Sequence, residues 1–260
     1  MKKSGFKRIP KSVFAILFLV VIWVLVTLVF RLTKSTFLPS PVDLASAFYK
    51  MRSNILPAIA SSLGIAMGGF FIGLLAGVLM GLMMAYSKTF LETVGPIMEF
   101  TRPIPVFAMI PLFMIWFGLG VTPQVLLVAL GVMAIIGVQT YEAIRNMPVV
   151  YVRAASNLGA TKRQIFGNVV LPYIVPHLIG AVRVAAASAW GLDVAAEFMG
   201  VQVGLGYNMI IQQMYLNTPG VIAIVIVYSI LAILLDQLIA FIEKRVTVWT
   251  ERTKLSFEGL

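Results

Sequence analysis

Few side chains in this sequence can act chemically, and most of those stand where charge is least expected. Arg183 and Asp193 fall inside an apolar run from Val169 to Ala196, with Glu197 at its edge, and Arg102 stands inside another. On a helix that turns about 100° per residue, Arg183, Trp190 and Glu197 are seven apart and share one stripe, and Asp193 lies one turn before Glu197. A charged group within a membrane span is costly and by default marks a path for a substrate or ion, with internal ion pairing as the alternative. The arginines would suit an anion and the carboxylates an amine, so the set leans towards a zwitterion or an organic anion. Arg102 also begins Arg102-Pro103-Ile104-Pro105, in a run that holds Pro96 and Pro111 as well. Each proline removes a backbone donor, and a broken helix is tolerated at membrane depth where it lines protein or a water-filled cavity. That makes Arg102 a second pathway candidate, with snorkelling to the interface as the competing reading.

Catalytic chemistry has less to work with. The chain has no cysteine and one histidine, His177, which leaves no disulfide framework, no thiolate metal site and no ligand set for zinc or haem. His177 follows Pro172 closely and reads as an interfacial residue. A membrane-embedded enzyme would need a catalytic cluster, and one histidine without a partner does not make one. No G-x4-G-K-[ST] occurs, so the chain cannot cradle ATP phosphates by the usual loop. We expect no catalytic residue, no metal and no cofactor on this chain.

The elements that hold these residues follow from composition. Of 260 residues, 60% are hydrophobic and 12% charged, with a mean hydropathy of +0.98. A water-soluble fold carries about a quarter charged residues, so an ordinary soluble protein is excluded and an all-α integral membrane protein expected. Residues 13–30 form an uncharged first span behind Lys2, Lys3, Lys7, Arg8 and Lys11; it is too long for a cleaved signal and has no small-residue site close behind. Charge is absent between Ser53 and Ser87, which gives span two. Leu91 to Leu119 gives a proline-interrupted span three, Gln124 to Tyr141 span four, Val169 to Ala196 span five and Pro219 to Ile242 span six. Residues 31–54 form a segment between the first two spans, and the polar stretch from Gly200 to Thr218 connects the last two. Span two carries Gly64, Gly68, Gly69, Gly73, Gly77 and Gly81, a ladder that lets another helix backbone come close.

Six spans put both ends on one side. Fourteen lysines and arginines fall on the face of the termini and four on the other, so residues 1–12, the loop 142–168 and the tail 246–260 are expected in the cytoplasm and residues 31–54 outside it. The basic excess thereby finds its explanation in orientation, and nucleic acid is not an expected partner.

The loop between spans four and five is the one place for a substantial soluble element. Pro148 can start a helix over Val149 to Leu158, Gly159 can end it with a positive backbone angle, and Thr161 can cap a second helix that runs to Val170. Val149, Val152, Ala155 and Leu158 repeat like a buried face, and Ala154 and Ala155 would let a partner surface approach closely.

In this loop Arg153-Ala154-Ala155-x3-Gly159-x9-Val169-x-Leu171-Pro172 resembles the E-A-A-x3-G-x9-I-x-L-P motif of the membrane subunits of binding-protein-dependent ABC importers. Arg153 stands where that motif has glutamate and Val169 where it has isoleucine, so no role can rest on a carboxylate at 153. The run from Arg102 to Gly120 and the element Gly204-Leu205-Gly206-Tyr207 are similar to the nitrate, sulfonate and taurine branch, and the resemblance covers roughly residues 55 to 245.

The resemblance implies six transmembrane helices with a MetI-like permease core over 55–245 and a cytoplasmic coupling helix. It implies that Arg153, Ala154, Ala155, Gly159, Leu171 and Pro172 couple the chain to separate ATPase subunits that hold ATP and Mg, and that Gly204, Leu205, Gly206 and Tyr207 act at an extracytoplasmic gate. Other implied partners are a second copy of the chain, an extracytoplasmic solute-binding protein and the lipid of a bacterial inner membrane. The cargo of that branch is a small anion or zwitterion such as nitrate, a sulfonate or taurine, with relatives that carry pyrimidine-type vitamin precursors. From another class, an ATP-independent channel or secondary transporter would fit the spans but would need no structured cytoplasmic helix pair.

Overall fold

The computed structural model describes residues 11–30, 34–101, 104–198 and 202–247, and within them the chain forms helices and turns and no strand. Helix α1 (Lys11–Val24) continues through a π turn over Leu25–Val29. Short α2 (Pro41–Met51) follows, then α3 (Ile55–Tyr86) and α4 (Lys88–Thr101). A 3-10 turn (Val106–Met109) leads into α5 (Ile110–Phe117), and α6 (Val121–Arg145) completes the first half. The second half holds α7 (Val149–Asn157), α8 (Lys162–Ile165), a π turn (Phe166–Val170), α9 (Leu171–Glu197), α10 (Leu205–Met214) and α11 (Thr218–Val246).

Among the described residues, four helical runs are long and apolar enough to cross a membrane: 55–86, 121–145, 162–197 and 218–246. The expected third span is instead a bent pair, Lys88–Thr101 and Val106–Phe117, at 93° to each other. The prolines explain the break: Pro105 has no amide to donate and holds extended backbone before the 3-10 turn. The first span is represented by α1 with its π turn, whose apolar part Leu17–Val29 is shorter than a full crossing.

The glycine ladder decides how the core is built. A Cβ at Gly69, Gly73, Gly77 or Gly81 would run into Val128, Val132, Ile136 or Thr140 respectively. Both series advance by four with a constant offset, so α3 and α6 run parallel, with β-branched side chains of α6 seated on bare backbone of α3. Without Cβ atoms the helices meet closely, and close approach is what holds helices together in lipid, where burial of apolar surface gives no advantage. The ladder is shorter than expected, because Gly64 faces open space and Gly68 makes only ordinary contact with Val125. Helix α9 closes the core with a small-residue face, Ala181, Ala185, Ala186 and Ala189, against Phe70, Val128, Val132 and Ile136.

Three connections differ from expectation. The helix begun at Thr161 is no separate cytoplasmic element: Thr161 caps it in a box with Gln164, and it runs through the π turn directly into α9. Pro172 has no amide for the usual helical bond, and the wide turn just before it, closed by Leu171 N–H to Phe166 O, absorbs the mismatch. The polar stretch after span five contains the ten-residue α10, which a plain connection would not have. Residues 31–54 contain α2, capped by Ser40, whose backbone and hydroxyl donate to Asp43 and hold that carboxyl below its ordinary value. The Trp23 indole donates to Pro39 O at 3.0 Å, and Thr218 Oγ1 to Thr36 O at 2.6 Å, tying α1 and α11 to this segment.

Candidate functional site

A groove of about 920 Å³ lies between the bent pair, α6 and α9. Its α9 wall is one helix face: His177, Gly180 with Ala181, Val184, Ser188, Gly191 with Leu192, and Ala195. From His177 to Ala195 that face rises about 27 Å, close to the hydrocarbon thickness of about 30 Å, so the groove runs nearly the depth of a membrane. Gly131, Ala134, Ile135, Val138 and Gln139 of α6 form the second wall, and Thr101, Val106 and Phe107 of the bent pair the third. The walls are small and mostly apolar, with Thr101, Gln139, His177 and Ser188 as polar points and no charged residue among the described ones. His177, expected at the interface, thus lines one end of the groove, where its ring stacks on Tyr173 at 4.7 Å and Nδ1 lies 2.9 Å from Tyr173 O.

The charged stripe of span five lies elsewhere. Arg183 turns to α11 and forms a two-pronged bond with Asp236, Nε to Oδ1 at 2.8 Å and Nη2 to Oδ2 at 2.7 Å, with Glu243 at 4.0 Å. For Arg183, ion pairing is therefore what the protomer shows. Trp190, Asp193 and Glu197 are buried at 6%, 0% and 1% exposure and none of them lines the groove. Arg102 lies outside the described residues, and its neighbour Thr101 reaches the groove.

Glu197 is a hub. Its carboxylate accepts from the Ser62 hydroxyl at 2.7 Å, from the Gly206 amide at 2.5 Å and from the Tyr228 hydroxyl at 3.3 Å, which joins α3, α10 and α11 to the end of α9. Ser62 Oγ in turn accepts the Leu205 amide at 2.9 Å. The Gly204-Leu205-Gly206-Tyr207 element is thereby the first turn of α10, with its free amides and the positive end of its dipole on a buried carboxylate and the hydroxyl it holds. Both glycines are required, since a Cβ at Gly204 or Gly206 would strike the Glu197 side chain, and Gly204 has φ +145°. Trp190 meets Tyr228 edge-on at 5.8 Å beside this network, and Asp193 is buried one turn before Glu197.

The third feature is α7. Pro148 precedes it, and Gly159 ends it at φ +81°, with the Ala160 amide donating back to Ala155 O at 3.0 Å. The expected buried face is only partly so: Val152 and Ala155 are half-buried, but Val149 is exposed and Leu158 is 88% exposed. Val152 packs against Met147, Val170, Ile174 and Leu178, with Leu171 beside them, so the helix is anchored on its inner side only. Arg153 and Ala154 are exposed, and Leu171 and Pro172 stand half-buried where α9 begins. A helix that leaves Val149, Val150, Tyr151 and Leu158 in the open presents a surface for a partner.

Reasoning from sequence missed the groove residues Ser188 and Gln139 and the hub residue Ser62. The signal for Ser188 was the run of small residues at 180, 188, 191 and 195 on one helix face; Ser62 has none, because its partners are 135 and 143 residues away.

Residues 73–248 match the family described as binding-protein-dependent transport system inner membrane component. The taurine transport system permease protein TauC of Escherichia coli K12 is 31% identical over 238 residues, covering 89% of this chain and 86% of that protein. The riboflavin transport system permease protein RibX of Chloroflexus aurantiacus is 33% identical over 214 residues, 82% of this chain and 80% of that one. Among solved structures, an inward-facing MetNI methionine ABC transporter chain superposes with a TM-score of 0.62 at 22% identity, covering 78% of this chain and 99% of that chain.

Proposed function

Because this chain belongs to the binding-protein-dependent transport system inner membrane components, the permease subunits of ABC importers, we propose that it carries a small anionic or zwitterionic organic acid of the taurine and sulfonate kind into the cytoplasm. In this reading two copies of the chain form the route in a bacterial inner membrane, both termini lie in the cytoplasm, and a soluble binding protein delivers the cargo outside. Separate ATPase subunits with ATP and Mg supply the work. The observation that carries the reading is the pairing of a membrane-deep groove on α9 with an exposed helix α7 at the base of that same helix.

The groove, not the buried stripe, is the proposed route. Among the described residues its walls carry no charge, which in this reading leaves selectivity mainly to the binding protein, with Ser188, Gln139 and His177 as groups of this chain that a polar solute meets. The same lack of charge among the described residues, with Phe107 and His177 on the wall and a riboflavin permease among the relatives, favours one second reading, a heteroaromatic vitamin-like cargo. Uptake into liposomes by the assembled importer, with taurine and riboflavin compared for binding-protein affinity and ATP-dependent accumulation, decides between them. Accumulation of neither would overturn both.

Two expected results test the division of labour. The purified chain hydrolyses no ATP alone and gains turnover only with its ATPase; Ala155→Glu, on the exposed helix, loses ATPase co-purification and transport while inserting normally. Normal transport by that variant would move the docking surface away from α7. The natural absence of cysteine allows the second test. Ser188→Cys and Gly191→Cys, on the groove wall, react with an aqueous thiol reagent, and the rate changes when the ATPase binds ATP. Ala189→Cys, fully buried one residue along, stays inert. Equal reactivity at 188 and 189 would refute the assignment of that face.

A further inference from the structure

A second groove, of about 590 Å³, opens where the α3–α4 corner meets the start of α8. Its floor is apolar and aromatic, from Met83, Tyr86, Phe90 and Phe166, and its rim carries Lys162 and Arg163 side by side. Among the described residues no acidic one lines it, and neither cation has an ion pair or a side-chain hydrogen bond. Two adjacent unpaired cations above an apolar floor form an amphipathic site that a polar solute would fill at one end only.

The floor does not stop at the groove. Leu75, Leu79, Met83 and Tyr86 are all exposed, at 64%, 51%, 50% and 86%, and at this spacing they lie along one side of α3. From Leu75 to Tyr86 the helix rises about 16 Å, which matches the roughly 15 Å of hydrocarbon in one leaflet. We propose that this groove binds an anionic phospholipid of the cytoplasmic leaflet, with its phosphate between Lys162 and Arg163 and its acyl chains along the α3 stripe. Charge complementarity selects the headgroup, and the stripe selects a lipid over an acidic protein surface, which has nothing to lay on Leu75 and Leu79. The inference rests on the reading that α7 and α8 face the cytoplasm. A lipid held there ties α3 to the segment that carries α7, so the composition of the inner leaflet would bear on how firmly that helix is presented.

The test uses the full chain in detergent with equal amounts of phosphatidylglycerol and phosphatidylcholine of the same acyl chains, and reads retained lipid by native mass spectrometry. Each basic residue near an anionic headgroup contributes about a factor of five, so two give a preference of up to about thirty-fold for phosphatidylglycerol. The Lys162→Gln/Arg163→Gln variant is expected to bring that ratio to near unity. An equal ratio in the native chain, or one that the double variant leaves unchanged, overturns the proposal. Should the double variant fail to fold, Tyr86→Trp decides, read as the quenching it adds over the native chain with its four tryptophans: brominated phosphatidylglycerol adds more than brominated phosphatidylcholine, and equal added quenching refutes the site. If the double variant loses its ATPase while the native chain shows no lipid preference, the cations serve a protein contact and the proposal fails. Sidedness is read separately, from thiol labelling of Leu158→Cys in sealed vesicles, so an error in orientation is not mistaken for an absent lipid site.

Discussion

Gly73→Ala is expected to damage this protein more than any other single methyl group added to α3. A Cβ there collides with the Ala129 carbonyl oxygen and stands 2.7 Å from Val132 Cβ, so neither a rotamer change nor a flexible side chain can make room. The backbones of α3 and α6 must separate, and the loss spreads to the neighbouring contacts at Gly69 and Gly77. Overpacking a tight core costs about 1–3 kcal/mol and sometimes more, and this site is at the severe end because the obstacle is main chain. Thermal unfolding of the purified chain should show the loss, with Gly64→Ala as the matched control, since nothing lies within 4 Å of a Cβ at that position. Equal stability of the two variants would mean that the ladder is not the contact that holds α3 to α6.

Glu197→Ala is expected to release α10. The substitution leaves the Gly206 amide and the Ser62 and Tyr228 hydroxyls without their acceptor in a buried site, and each orphaned donor costs about 1–3 kcal/mol. Glu197→Gln keeps one carbonyl oxygen for some of the three donors and should lose less, which separates the hydrogen-bonding role from bulk. Hydrogen exchange at Leu205 and Gly206 reads the event locally, because their amides are held by Ser62 and Glu197. If those amides remain as protected in the alanine variant as in the native chain, something other than the carboxylate seats α10. Loss of transport by the alanine variant with an intact groove and exposed amides would follow from a loosened α10 rather than from a missing substrate contact.

What could be read from the sequence had its cause close in the chain. The spans follow from runs of uncharged residues, the α7 terminus from Pro148 and Gly159, and the α8 start from Thr161 with Gln164 three residues on. The prolines announced a broken third span, though not a 93° bend. Helical periodicity correctly grouped Trp190 and Glu197 but could not tell which side of α9 faced inward, because a polar stripe looks the same whether it lines water or is buried in a network. The network itself was invisible: its donors are a serine in α3 and backbone amides of α10, and a polar stretch with glycines does not resemble a helix until a carboxylate is there to cap it. Likewise the ladder was legible as a set of glycines, but only the positions of Val128, Val132, Ile136 and Thr140 show which four of the six are used.

The π turn at Phe166–Val170 holds one residue more than an α-helix would use, and it sits between α8 and the groove-lining stretch of α9. The i→i−5 bond from Leu171 N–H to Phe166 O widens the turn, so its five residues go round about as far as four would in an α-helix and the extra residue is absorbed without turning α8 against α9. A chain lacking a single residue in this turn would keep α7 and the groove face of α9 in nearly the same relative setting, but would close the turn as ordinary α-helix and bring the Pro172 ring against a carbonyl four residues back.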